Sequence, residues 1–138
     1  MAKQQGIDFI VSVNTGTDAV PVWTKVGGQR GATLNRSADT LDSTSKDSNG
    51  WKENEYSFKE WGIESEGLLL DSDVGYSELE DAFMNAVKVK IQMVTASGKK
   101  YEGMSLVTDF PIEAPYDDLA TYSVTFTGDR ELSIVPAV

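Results

Sequence analysis

The chain has neither cysteine nor histidine among its 138 residues. Without cysteine there are no disulfides and no thiolate metal sites, so stability has to come from packing or from association with neighbours. Without histidine there are no Ser-His or Cys-His nucleophilic pairs, no imidazole ligands and no ordinary proton shuttle for neutral pH. Carboxylate or lysine chemistry is what survives. Long apolar runs are missing as well: the longest, such as Phe9–Val11 and Leu68–Leu70, reach three residues, against about 20 for a bilayer-spanning helix. The start, MAKQQGIDF, carries one lysine and no apolar signal-peptide core, so assembly in a cytoplasm is the expectation.

Positive charge is scarce. Twelve basic residues face 22 acidic ones, a formal charge of −10, which repels nucleic-acid phosphates and anionic lipid at long range. Such a chain does not grip nucleic acid. A protein past which DNA must slide, however, benefits from that sign of charge on the surface it shows to the DNA.

What is present is ordinary for one globular domain: 40% hydrophobic and 25% charged residues, enough to bury a single core. The pattern is that of strands. From Ala120 to Thr127, Tyr122, Val124 and Phe126 alternate with Thr121, Ser123, Thr125 and Thr127, predicting a core face backed by a hydroxyl ladder. Lys88 to Met93 alternates likewise, with Val89, Ile91 and Met93 on one side. Met104 to Ile112 repeats the pattern, with Met104, Leu106, Thr108, Phe110 and Ile112 on the apolar side and Ser105, Val107, Asp109 and Pro111 on the other. Ala96–Lys100 (ASGKK) has the length and chemistry of a hairpin link between these two strands. Earlier strands are predicted over Ile7–Val13, Val22–Val26, Gly31–Asn35 and Tyr56–Leu70, the last with Trp61 and Ile63 inward and Glu60, Glu64 and Glu66 outward. Ser133–Val135 is expected to close the chain as an edge or an arm.

A single helix is signalled, from Glu78 to about Val87. Ser77 and Glu80 fit a capping box, and Leu79, Ala82, Phe83 and Ala86 form one apolar stripe. Between Arg36 and Glu55 the stretch RSADTLDSTSKDSNGWKENE is polar, with Asn49-Gly50 as a turn signal. A structureless loop of this length is uncommon in a compact domain unless it is functional.

Chemical motifs fail one by one. Asp71-Ser72-Asp73-Val74-Gly75 is not a calcium loop, because glycine stands fifth and the twelfth residue is Ala82; its carboxylates suit the positive end of the following helix instead. Ser97-Gly98-Lys99 lacks the upstream glycine of a phosphate loop and joins strands. Gly27-Gly28-Gln29-Arg30-Gly31 lacks dinucleotide spacing. Asn35-Arg36-Ser37 is a glycosylation sequon without a secretory context. Asp117-Asp118 or Glu60 with Glu64 could be nominated as catalytic carboxylates, but with 22 acidic residues such proximity arises in any fold. Trp51, in the polar stretch, suits an interface anchor or a sugar-stacking platform.

The segments Val13-Asn14-Thr15-Gly16-Thr17, Val22 to Glu53 (VWTKVGGQRGATLNRSADTLDSTSKDSNGWKE), Phe58 to Leu70, the helix region and Thr108 to Ser133 (TDFPIEAPYDDLATYSVTFTGDRELS) follow one another in a recognisable order. In them the chain resembles the major tail protein, or tail tube protein, family of long-tailed phages and prophages. The resemblance implies one mainly β domain over residues 1–138: a β-sandwich or barrel-like phage tail tube fold with one flanking α-helix and a long inter-strand loop. It implies a structural virion protein of the tail, assembled in the host bacterial cytoplasm. Hexameric rings would stack into a hollow conduit for DNA, with tape measure, tail tip and tail terminator proteins as further partners and no cofactor, enzyme activity or membrane.

Carried onto this sequence, Glu60, Glu64, Glu66, Asp109, Thr121, Ser123 and Thr125 are expected to line the lumen. The loop at 36–55, through Arg36, Asp39, Asp42, Lys46, Asp47, Trp51 and Lys52, would contact neighbouring subunits, as would terminal arms at about 1–7 and 131–138. Two other readings compete: the tube of a phage-derived injection or secretion device, and a carbohydrate-binding β-sandwich using Trp51.

Overall fold

The computed structural model describes residues 3, 5–17, 19–70 and 72–136, with nothing stated of the Ile7 side chain. A short 3-10 turn, Gly6–Asp8, leads into strands β1 (Ile10–Asn14), β2 (Trp23–Lys25), β3 (Gln29–Asp42) and β4 (Asn54–Leu68). One helix, α1 (Val74–Met84), follows, and then β5 (Val89–Val94), β6 (Lys100–Asp109), β7 (Ile112–Glu113) and β8 (Thr121–Val135). All pairings are antiparallel, in the order β2-β1-β5-β6-β8-β4-β3, with β7 also on β8. The mainly β, one-helix expectation is met.

The two ends of this sheet meet. The N–H of Val11 on β1 donates to Gln29 Oε1 on β3 at 2.9 Å, and Gln29 Nε2 donates to the carbonyls of Val11 and Val26, both at 2.6 Å. One primary amide, which carries both donor and acceptor, thus performs the bonding of a strand residue across the seam and bends the sheet into a barrel-like wrap. Inside lie Val11, Val13, Val26, Ile63, Val89, Ile91, Met93, Tyr122, Val124 and Phe126, with Tyr76 and Leu79 contributed by the helix. The predicted alternation of β8 and the inward Trp61 and Ile63 hold, whereas on β5 Gln92 is buried at 3% beside the expected Val89, Ile91 and Met93.

The helix starts earlier than its sequence signal. Asp73, not Ser77, is the N-cap: its carboxylate accepts the N–H of Tyr76 at 3.0 Å and of Gly27 at 2.9 Å, so it ties the helix start to the turn before β3. The buried stripe shifts with it to Gly75, Tyr76, Leu79 and Ala82, while Phe83 is 46% exposed. Tyr76 takes the anchoring place expected of Phe83, packing edge-on against Phe110 at 5.3 Å and Tyr122 at 5.6 Å. Burial, together with nearby Asp73 and Tyr76, pushes the Tyr122 phenol up to about 12. Its hydroxyl donates to the Gly27 carbonyl at 3.4 Å.

Two further expectations are corrected. On β6 the inward side is Gly103, Ser105 and Val107, whereas Leu106 is 37% exposed. Trp61 explains the inversion: its ring lies flat against Gly103 and Gly128, where a Cβ at Gly103 would come within 2.7 Å of the indole and one at Gly128 would overlap it. Its Nε1–H donates to the Arg130 carbonyl at 3.0 Å. A larger residue at position 103 would displace the tryptophan, and with Gly103 inward Leu106 faces out. At the C-terminus, Glu131 to Val135 is no free arm, because β8 continues through it and pairs Ser133, Ile134 and Val135 with Glu102, Tyr101 and Lys100. Ala137 and Val138, like Met1, Ala2 and Gln4 of the other expected arm, lie outside the described residues.

Candidate functional site

The stretch at 36–55, expected as one loop, is strand at both of its ends. β3 runs on to Asp42, β4 starts at Asn54, and the two stay paired from Gln29↔Gly67 to Asp42↔Asn54. Only residues 43–53 connect them. Sequence patterning failed here because an exposed hairpin has no core face, so its residues do not alternate in polarity. Ser, Thr and Asp then read as loop although their backbones are in a ladder.

The tip is built by local polar bonds. Ser45 caps the 3-10 turn Lys46–Ser48 in a reciprocal box, its hydroxyl accepting the Asp47 N–H and its own N–H donating to Ser48 Oγ. Thr44 and Glu53 close the neck, with the Glu53 N–H donating to Thr44 Oγ1 at 2.8 Å. Asp42 accepts the Thr44 N–H at 2.9 Å, and hydrogen bonds from the Thr44 side chain and backbone hold its carboxyl below the usual carboxylate range. Asn49 and Gly50, both at positive φ, make the final turn.

Arg36, Asp39, Asp42, Lys46, Asp47, Trp51 and Lys52 all lie on this one hairpin and are exposed. Its apolar side chains are bare: Leu41 is 59% exposed, Trp51 78%, Tyr56 78% and Phe58 82%. Four large apolar side chains are thus uncovered on this one hairpin.

The second surface is the outer face of the sheet. Cross-strand register sets Glu64 opposite Thr125 and Glu66 opposite Ser123 on β8, with Thr33 and Gly31 opposite the same glutamates on β3. Thr121 follows the same parity, and Asp109 lies opposite Thr125 on β6. Ser37 Oγ donates to Glu60 Oε1 at 3.2 Å, and the Thr108 and Thr127 hydroxyls bond at 3.0 Å. The seven residues proposed for one surface therefore do share it: a solvent-facing carboxylate and hydroxyl face with a shallow groove of about 400 Å³ between Glu64, Glu66, Ser123 and Thr125. Among the described residues no cluster of acidic side chains is arranged to hold a metal ion. Asp117 and Asp118, the other carboxylates weighed for acid–base work, sit on the exposed loop before β8, whereas Glu60 and Glu64 are part of β4.

A third feature had no sequence signal. β4 pairs with β8 only over Gly62–Leu68 and Thr121–Thr127. Beyond Trp61 and Gly128 the two strands separate into a fork of about 720 Å³, lined by Arg36, Lys59, Trp61, Arg130, Leu132 and Ile134 among others.

Known structures share this fold. The chain superposes on a subunit from the tail of an empty gene transfer agent particle with C6 symmetry at a TM-score of 0.84 and 19% identity, covering 97% of this chain and 100% of that one. On the SPP1 tail tube the TM-score is 0.76 at 11% identity, over 96% of this chain and 78% of the other. A subunit from the sheath and tube terminator structure of an extracellular contractile injection system, PVC, gives 0.66 at 14% identity, over 99% of both chains. Among curated proteins no sequence match is found. The model of the phage tail tube protein family matches residues 3–133, nearly the whole chain with the hairpin, the acidic face and the helix inside it, and the chain belongs to that family.

Proposed function

We propose that this protein is the repeating subunit of a phage tail tube, forming hexameric rings that stack around a DNA conduit. The observation that carries the reading is the pairing of a continuous acidic and hydroxyl sheet face with a projecting hairpin whose apolar side chains are uncovered. The first suits a wall that DNA must not stick to, and the second needs a partner chain. Sixfold repetition turns Glu60, Glu64, Glu66 and Asp109, with Thr121, Ser123 and Thr125, into a ring of negative charge and hydroxyls. Screening limits that field to about 8 Å at physiological salt, so it acts on phosphates near the wall and leaves DNA on the axis free to move. No step needs a catalytic residue, and neither a cofactor nor a membrane enters.

Negative-stain microscopy of the concentrated protein tests the reading. Hollow tubes are the expected result, and a monomer at every concentration would overturn it. Replacing Glu60, Glu64 and Glu66 by lysine should leave tubes intact and slow genome ejection, whereas unaltered ejection would remove these residues from the lumen. Tape measure, tail tip and terminator proteins are the natural further partners of such a tube. The injection-device reading has support from the likeness to the contractile system subunit, but the gene transfer agent and SPP1 subunits superpose more closely.

A further inference from the structure

The fork between β4 and β8 is unusual in its charge. In a chain with 12 basic residues and a net charge of −10, three cations, Arg36, Lys59 and Arg130, line this one cleft together with the acids Glu60 and Glu131. The one salt bridge among the described residues is Lys88–Asp129, so none of the three is ion-paired with a described residue, although Arg36 stacks on Tyr101 at 5.3 Å and Lys59 lies over Tyr56 at 5.9 Å. The floor is apolar, made by Trp61, Leu132 and Ile134, the last 50% exposed. Arg130 also sits at φ +66 in a bulge, where three residues of β8 lie between Asp129 and Ser133 opposite Gly103 alone. A non-glycine residue held in this region costs of order 1 kcal/mol and is found where a strand is bent to aim a side chain.

The other end of the same strand has the opposite character. Residues 111–119 are exposed without a break. They carry Glu113, Asp117 and Asp118 and no cation, around three bare apolar side chains: Ile112 at 50%, Tyr116 at 102% and Leu119 at 65%. Thr121 and Arg130 are nine residues apart on β8, roughly 30 Å at the usual strand rise, so a subunit cannot fill its own fork with its own loop.

Resting on the tube reading above, we infer that the acidic Tyr116 loop of one copy docks in the cationic fork of the next, making the head-to-tail contact along the tube. Tyr116 lies on the Trp61–Leu132–Ile134 floor with its ring beside the Arg130 guanidinium, and Asp117 and Asp118 meet Lys59 and Arg36 at the rim. Two different surfaces at opposite ends of a subunit generate an open stack, whereas a self-complementary patch would close as a dimer. The charge pairing fixes polarity, since fork against fork or loop against loop sets like charges together.

The absence of native cysteine makes the test direct. A chain carrying Lys59→Cys and Asp117→Cys, assembled and treated with a mild oxidant, should give a ladder of disulfide-linked multimers on a non-reducing gel, while each single substitution gives at most dimers. In parallel, Lys59→Asp with Arg130→Asp should raise the protein concentration needed for stacking by about tenfold or more. Adding Asp117→Lys and Asp118→Lys to that variant should bring it back. All four positions are exposed, and circular dichroism checks the fold. Tubes that form without a ladder, or a charge swap that fails to restore stacking, overturn the docking and leave the tube reading standing; absence of both tubes and ladder overturns the two together.

Discussion

Removing the Gln29 carboxamide is the sharpest test of how this sheet is closed. In Gln29→Ala the Val11 N–H loses its acceptor and the Val26 carbonyl loses its donor, while the Val11 carbonyl keeps the Val26 N–H at 3.3 Å. Both residues are nearly fully buried, Val11 at 1% and Val26 at 2% exposure. Two backbone groups orphaned at roughly 1–3 kcal/mol each give an expected loss of about 2–4 kcal/mol, allowing for some water entry at the seam. The near-isosteric Gln29→Glu separates bonding from volume. Its carboxylate can still accept from Val11 N–H, but it now points an anionic oxygen at two carbonyls, so its folded-state pKa lies above the ordinary glutamate value. The folded state then holds a proton that the unfolded state releases, and stability falls as pH rises through that window. Wild type has no such glutamate and should show no matching slope. Urea unfolding of the unassembled subunit between pH 4 and pH 8, followed by tryptophan fluorescence, reads both effects. If Gln29→Ala stays within about 0.5 kcal/mol of wild type, a level ordinary for surface changes, the amide closes nothing and the seam is held by packing alone.

Gly128→Ala should destabilise by about 1–3 kcal/mol, because the new methyl overlaps the Trp61 ring and the indole is pinned by its bond to Arg130; thermal melts read this overpacking cost. Leu79→Ala, at 0% exposure, should cost about 2–5 kcal/mol in the same assay. With its phenol raised to about 12, Tyr122 stays neutral in the fold after unfolded chains begin to ionise near the ordinary phenol value of 10.0. Stability should therefore decline between these two pH values, and Tyr122→Phe should flatten that decline in alkaline unfolding curves. Trp51→Ala should leave the subunit's melting unchanged, since the side chain is 78% exposed, but shorten or abolish tubes in micrographs; tubes of normal length would take the hairpin tip out of the interface.

Alternation along β8 was legible because one side of the strand meets the core and the other is open to solvent, and that asymmetry is written directly into residue polarity. The outward glutamates of β4 were legible for the same reason. Where a strand is solvated on both faces, as in Arg36–Asp42, polarity carries no such record, and that arm of the hairpin was taken for part of a loop. The helix start was misplaced because Ser77 and Asp73 are both competent caps, and only the bond from Asp73 to Gly27, 46 residues away in sequence, decides between them. On β6 the inward face was set by a tryptophan on another strand, which no local pattern on β6 could reveal.

By itself the sequence determined the chemistry available and the class of fold: no thiol, no imidazole, an acidic surface, alternating strands and one amphipathic helix. These are local properties, fixed by residue type and spacing. Tertiary structure alone decided which acids share a face, how a single glutamine amide seals the sheet, and that β4 and β8 part at Trp61 to leave a cationic cleft. Those depend on register and strand divergence between segments far apart in the chain, where contacts compete through volume and backbone bonding.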